Sequence, residues 1–407
     1  MKILILADNF PPETNAAASR VFERARMWVA WGHRVTVLTS FPNFPVGKRF
    51  PGYESGLFRR EVMDGVHVVR LPTVMRPNAG VLPRAIDQGS YLPLAAPLAT
   101  LVRGVDVVFA SSPHIFAGLA GPFSTRLGRR PLVLGVAGLW PESILPVGAV
   151  KNRQLIGALE AAELWLYRRS HAIVALTGRF KDSMMRRGVP ESKVHVIRNG
   201  ADLRLFSPAT PDPKTRTELG IPNDAFVLAY IGNYGPAQAL GAALDAAELL
   251  RDRPRFRLLM VGGGAQESEL RRRAERMENV VFQGRQPREN MPALWAASDA
   301  ALVHLADRTT FASVLPSKIL EAMAMAKPIV LSAPAGVASE LVQEEGIGVC
   351  VGAEQPGALA ESIRAVMDDA TTLSTMQQRC IDAVPRYSRE AQARAVLKVL
   401  ELAAERR

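Results

Sequence analysis

A chain of 407 residues with 48% apolar and 22% charged residues is too long for one ordinary domain, and it predicts two globular domains of roughly 200 residues each with large cores. Two cysteines, Cys350 and Cys380, exclude a disulfide framework, and with no leader-like segment a reducing cytoplasm is the expected compartment. The net charge of +11 sits in the first half, where residues 1–200 hold 26 Lys/Arg against 13 Asp/Glu, a balance of +13 that leaves −2 for the rest. Such a half suits an anionic lipid surface; nucleic acid is disfavoured because no basic run is interleaved with aromatics, and plain solubility is the alternative.

In chain order, Lys2–Ala7 is a near-continuous apolar run, as for a strand buried on both faces. A loop over Asp8–Asn15 follows, then a helix with Ala18, Phe22, Ala25 and Val29 at helical spacing, ended by Gly32. His33–Thr39 is the second strand, so the chain opens on a βαβ unit of a doubly wound sheet. Tyr91–Val102 is the longest apolar run; it is too short to span a bilayer and carries two prolines, so a buried helix is expected, with a membrane-touching helix as the alternative. Further strands are expected at Asp106–Ala110, Pro131–Val136, Ala172–Leu176 and Val194–Ile197. A turn at Asn199–Asp202 and the proline-rich Phe206–Pro213 mark the domain linker, after which the pattern restarts with strands at Phe226–Gly232, Arg257–Gly264, Val280–Gly284, Ala300–Leu305 and Val349–Val351. Two α/β halves in tandem predict ligand binding in a cleft, beyond the carboxyl ends of the strands. A helix with an apolar face closes the chain over Ser388–Arg407.

The most informative stretch is Pro316–Val330, read as a loop, a short helix and a return to a buried strand. Pro316 and Ser317 suit a helix start, with the serine as cap; such an N-terminus attracts anions, and Lys318 adds a full positive charge there. Glu321, one turn on, can accept hydrogen bonds from vicinal hydroxyls such as those of ribose. Phosphate and sugar sites one turn apart describe a nucleotide-sugar, although a capped surface helix accounts for the same residues. Gly262, Gly263 and Gly264 after one strand, and Gly232 after another, let backbone come close to a ligand or simply turn tightly. Asn233 and Gln238 are neutral donors for phosphate oxygens or turn caps. Trp140-Pro141-Glu142-Ser143 puts a carboxylate at a strand's end, where it either meets a substrate or favours a helix N-terminus. His114 and His304 lie at or after strand ends. No histidine has metal-ligand spacing, so neither metal nor other cofactor is expected.

Phe10-Pro11-Pro12-Glu13, Gly32–Thr39, Leu139–Ser143, Asn199–Asp202, Gly232-Asn233 through Ala237-Gln238, and Pro316-Ser317-Lys318 through Glu321–Ala324 occur in order. As a set they resemble retaining glycosyltransferases of family 4, in the branch of bacterial enzymes that build capsule, O-antigen or exopolysaccharide on polyprenyl-linked acceptors. The resemblance implies the GT-B fold: two tandem Rossmann-like doubly wound α/β domains facing across a cleft. Residues 1–205 would bind the acceptor, 206–385 the nucleoside-diphosphate sugar, and 386–407 would cross back onto the first domain. Donor-side residues would be Gly232, Asn233, Gln238, Gly262, Gly263, Gly264, Pro316, Ser317, Lys318, Ile319 and Glu321. Lys318 and Glu142 would stand nearest the chemistry; Asn15, Ala16, Gly138 and His114 would lie on the acceptor side. Implied partners are the nucleotide-sugar, a lipid-linked saccharide and the cytoplasmic face of the inner membrane, with no nucleic acid. The chain departs from that branch at Ala137-Gly138, where Arg-Asp is usual, and at Asn15-Ala16, where a glycine pair is usual. A degenerate nucleotide-sugar-binding protein or an epimerase of the same fold are the alternatives.

Overall fold

The computed structural model describes residues 1–44, 46–76, 81–112, 115–126, 130–139, 153–210 and 212–405. Two compact units divide the chain, Met1–Arg198 with Gln392–Arg407, and Asn199–Ala391. Each is an α/β sheet with helices on both faces, the Rossmann-like pair that the sequence predicts.

In the first unit, strands β1 (Lys2–Leu6), β2 (Arg34–Ser40), β3 (Arg59–Met63), β4 (Val66–Leu71), β5 (Val107–Ser111), β6 (Leu132–Val136), β7 (Ala172–Ala175) and β8 (Val194–Val196) form one sheet. Their order is β3-β4-β2-β1-β5-β6-β7-β8, parallel throughout except for β3 against β4. Ile3 to Leu6 are fully buried, because helices cover both faces; hence continuous apolar runs rather than alternation. The Tyr91–Val102 run lies in the Val81–Leu101 helix, which buries Tyr91, Ala95 and Ala99 four residues apart. No described helix is long and apolar enough to cross a membrane.

The β3–β4 hairpin is absent from the sequence-level expectation. Its signal is Asp64-Gly65, a two-residue turn in which both residues have positive φ, 47° and 78°. The Arg389–Glu405 helix returns its later residues to the first unit: Val396, Val399 and Leu400 pack with Ile3, Trp28 and Phe109. Trp28 Nε1 donates to the Ala393 carbonyl at 3.0 Å.

In the second unit, β9 (Phe226–Asn233), β10 (Phe256–Gly263), β11 (Val280–Gln283), β12 (Ala300–His304), β13 (Ile329–Ser332) and β14 (Gly348–Val351) are all parallel, in the order β11-β10-β9-β12-β13-β14. The order turns between β9 and β12, so the topological switch point lies at their carboxyl ends.

The junction expected at 205/206 falls at 198/199, and that at 385/386 falls at 391/392. The reason is pairing inside the second unit. Ala201 bridges Ser388, its N–H donating to the Tyr387 carbonyl and its carbonyl accepting from Arg389, both at 2.8 Å. Phe206 then enters the core beside Val227 and Trp295. A β-carbon at Gly200 would overlap the Ser388 backbone, which has no freedom to give way. Gly200→Ala is therefore expected to cost about 1–3 kcal/mol, read as a lower urea midpoint of the purified chain.

Candidate active site

At the carboxyl end of β9, side chains alternate, so Tyr230 and Gly232 share a face. The β9–β10 register sets Gly262 beside Gly232 and Gly263 beside Asn233. A β-carbon on Gly262 would overlap the Gly232 carbonyl, and one on Gly264 would lie 2.8 Å from Asn233 Oδ1. Gly232 and Gly262 also hold φ of +155° and +140°, so conformation favours glycine at both and space demands it at Gly262. The result is a patch of bare backbone at the switch point.

Lys318 reaches this patch. Its Nζ lies 3.7 Å from the centroid of the Tyr230 ring, and 2.8 Å from where a β-carbon on Gly232 would stand. Tyr230 is fixed in turn by its hydroxyl, which donates to the Asn233 carbonyl at 2.7 Å. Burial pushes the Lys318 ammonium down to about 7, and Glu321 one turn away opposes the shift. Among the described residues no carboxylate forms an ion pair with it.

The helix that carries Lys318 is Ser317–Ala324. Ile319, Leu320, Ala322 and Met323 sink into the core with Val303 and Leu305, which turns Lys318 and Glu321 to the other face. Ser317 does not cap it. Pro316 occupies the cap position in extended conformation, Ser317 is the exposed first helical residue, and no side chain caps the first turn. The Lys318 N–H therefore lacks the side-chain acceptor that a serine at the cap position would supply, while the Ile319 N–H donates to the Pro316 carbonyl at 3.1 Å. The Ile319 side chain is wholly buried, so a ligand here would meet its backbone.

Burial also pushes the Glu321 carboxyl up, while Arg288, Arg389 and Lys318 pull it back toward the ionised form. The two arginines lie far apart in sequence, Arg288 in a short 3-10 turn and Arg389 at the start of the closing helix, and no local motif announces them.

Asn233 ends β9 and Gln238 lies in the turn that follows, with Asn233 Nδ2 donating to Gln238 Oε1 at 3.5 Å. That loop is stitched to the end of β12. Ala306 N–H donates to the Ala237 carbonyl at 3.0 Å, and His304 Nδ1 lies 2.8 Å from the Gln238 carbonyl. A carbonyl can only accept, so the proton sits on Nδ1 and leaves Nε2 a buried atom without a partner. Burial pushes the imidazole below its usual range, which keeps this neutral tautomer. The stitching holds Ala239 at φ +44°, a left-handed conformation that costs about 1 kcal/mol for alanine.

In the first unit, the Asn15 side chain is already engaged: Oδ1 accepts from the Ala18 N–H at 2.9 Å and caps the Ala16–Ala30 helix. Ala16 is the exposed first residue of that helix. Gly138 follows β6, and a β-carbon there would meet nothing within 4 Å. His114 and Glu142 lie outside the described residues. Among the described residues no three His, Cys, Asp or Glu side chains gather as a metal site.

Comparison with known proteins divides the chain in the same way. Residues 211–387 match the family model of glycosyl transferases group 1, and residues 15–200 match that of the glycosyl transferase 4-like domain. WcaI of Escherichia coli K12, whose name assigns it to colanic acid biosynthesis as a glycosyl transferase, is 26% identical over 381 residues, covering 90% of this chain and 92% of WcaI. A D-inositol 3-phosphate glycosyltransferase of Catenulispora acidiphila is 29% identical over 347 residues, covering 78% and 76%. Among solved structures, HepE of Anabaena in complex with UDP superposes with a TM-score of 0.71 at 19% identity, over 98% of this chain and all of that one.

His304→Leu deletes the donor to the Gln238 carbonyl and is expected to cost about 1–3 kcal/mol in urea unfolding. His304→Asn, whose amide nitrogen can take the place of Nδ1, should recover most of that loss, and His304→Gln should recover little.

Proposed function

Since the chain is a glycosyltransferase of the GT-B type, with a glycosyl transferase 4-like domain followed by a glycosyl transferases group 1 domain, we propose that it moves a sugar from a nucleoside-diphosphate sugar to a lipid-linked saccharide in cell-surface polysaccharide synthesis. Transfer would retain configuration and need no metal. The observation that carries this reading is the placement of the Lys318 ammonium over Tyr230, against the bare backbone of Gly232 and at an uncapped helix start.

Each part has a task in such a reaction. Glycines let a diphosphate approach the backbone, and the first-turn N–H groups of the Ser317–Ala324 helix donate to its oxygens. Lys318 stabilises the charge that builds on the leaving diphosphate as the glycosidic bond breaks. Glu321, held toward the ionised form by Arg288 and Arg389, accepts from the ribose hydroxyls. No protein base is required, because the leaving phosphate can take the acceptor's proton on the same face, which also gives retention. Asn233 and Gln238 add neutral donors beside the diphosphate. The basic balance of residues 1–200 suits an acceptor diphosphate at the cytoplasmic face of a membrane, with Asn15, Ala16, Gly138, His114 and Glu142 on the acceptor side. The likeness to WcaI supports the polysaccharide context. HepE, solved also with UDP-glucose, makes UDP the first ligand to test.

A second reading, nucleotide-sugar binding without turnover, is favoured by Ala137-Gly138, which leaves the first two positions after β6 without a charged side chain. Labelled nucleotide-sugars incubated with membrane lipid extract separate the two. Transfer by the parent supports an enzyme, and a rise in Gly138→Asp would count against the binding-only reading.

Lys318→Met and Glu321→Ala are each expected to lower UDP affinity and transfer by about tenfold or more. Parent-like transfer in both would show the site to be elsewhere. The lysine binds an anion only when protonated, so UDP affinity should fall as pH rises through about 7 and above, by up to about tenfold per unit. Lys318→Met should flatten that slope in a calorimetric titration.

A further inference from the structure

At the amino ends of β7 and β8, in the first unit, lies a cavity of about 280 Å³ whose described lining includes none of the donor and acceptor residues. Its wall carries Arg168, Arg169, His171, Lys193 and His195, and no carboxylate among the described residues. Val399, Leu402 and Ala403 of the returning helix form an apolar side.

Two of the polar groups are fixed in place before any ligand arrives. Lys193 Nζ donates to the carbonyls of Arg168 and Ser170 at 3.1 and 3.0 Å, which neutralises the carboxyl end of the Arg153–Arg169 helix and leaves its third N–H over. His171 Nδ1 accepts from the Leu132 N–H at 3.1 Å, so its proton must sit on Nε2, as a donor. Beside them, among the described residues, no acidic side chain pairs with Arg168 or Arg169. Like charges collected in a concavity repel one another, and a small dianion with several acceptor oxygens relieves them all at once. Next to this wall the Arg169 guanidinium lies 5.9 Å from the Trp165 ring, and Trp165 and Phe123 form a ring pair that is 37% and 47% exposed. Exposed aromatics beside a cationic pocket suit a phosphate that carries an apolar group.

We infer that this cavity binds a phosphate group, either the headgroup of an anionic phospholipid or free inorganic phosphate. The site uses no residue of the second unit and stands or falls independently of the donor site.

The test uses the full chain and the double variant Arg168→Gln/Arg169→Gln, both saturated with UDP. A charge-matched control, Arg60→Gln/Arg103→Gln, carries its changes at exposed positions outside the cavity. In one arm inorganic phosphate is titrated at constant ionic strength against the melting temperature. In the other, co-sedimentation is measured with phosphatidylglycerol vesicles and with phosphatidylcholine vesicles. A phosphate-dependent rise in melting temperature that weakens at least tenfold in the variant, but not in the control, identifies free phosphate. Binding to phosphatidylglycerol alone, lost in the variant and kept in the control, identifies the lipid headgroup. If the variant matches the parent in both arms, or if the control loses binding equally, the cavity is not a phosphate site.

Discussion

Gly262 and Gly232 face one another across two parallel strands; a β-carbon on Gly262 would overlap the Gly232 carbonyl, and one on Gly232, held at φ +155°, would crowd the Lys318 ammonium. Much of the second unit's chemistry depends on that exclusion. A side chain at either position would push β9 and β10 apart or fill the space where Lys318 lies. Because the two glycines end their strands at the turn in the sheet order, the exclusion creates a hollow of backbone where an α/β sheet can receive a ligand. The Tyr230 ring then forms the floor, and its hydroxyl ties the floor to the rim.

The same stretch holds two lysines with opposite fates. Lys327 is buried, and its ammonium is satisfied by the carbonyls of Ala296 and Ser298 at 3.3 and 2.6 Å. It locks the turn where Ala326, at φ +54°, stops the helix. Lys318 has an aromatic face and no such carbonyls. A desolvated cation left short of acceptors costs stability, and the fold sustains it where an arriving anion can supply what is missing. His304 Nε2 is short of a partner in the same way, as the residue of a bond made elsewhere: the ring is committed through Nδ1 to shaping the loop of Asn233 and Gln238.

Much of this was legible in the residues. Parallel strands buried on both faces, such as β1, β6, β7 and β12, write themselves as unbroken apolar runs, and the half-buried edge strands β8, β11 and β14 were legible from shorter apolar stretches. Pro316–Glu321 announced a helix start with a cation and an acid one turn apart. What escaped has physical reasons. The β3–β4 hairpin is half exposed, and Arg59-Arg60-Glu61 lacks the apolar signature, so only Asp64-Gly65 marked it. Ser317 failed as a cap because Pro316, with its fixed φ, already served as the boundary residue. The domain junction was placed at a cluster of prolines, yet backbone pairing between Ala201 and Ser388 decided it, and such pairing is invisible in composition. Arg288 and Arg389 reach Glu321 only through tertiary structure.

The pairing of Ala201 with Ser388 has a wider meaning. It brings the first and last residues of the second unit side by side, while the first unit is assembled from both ends of the chain. In topological terms the second unit is an insert, a self-contained cassette with adjacent ends. Such a cassette can be exchanged between parent genes at two neighbouring points without breaking either hydrophobic core, so the two halves of the molecule are free to diversify on separate evolutionary schedules.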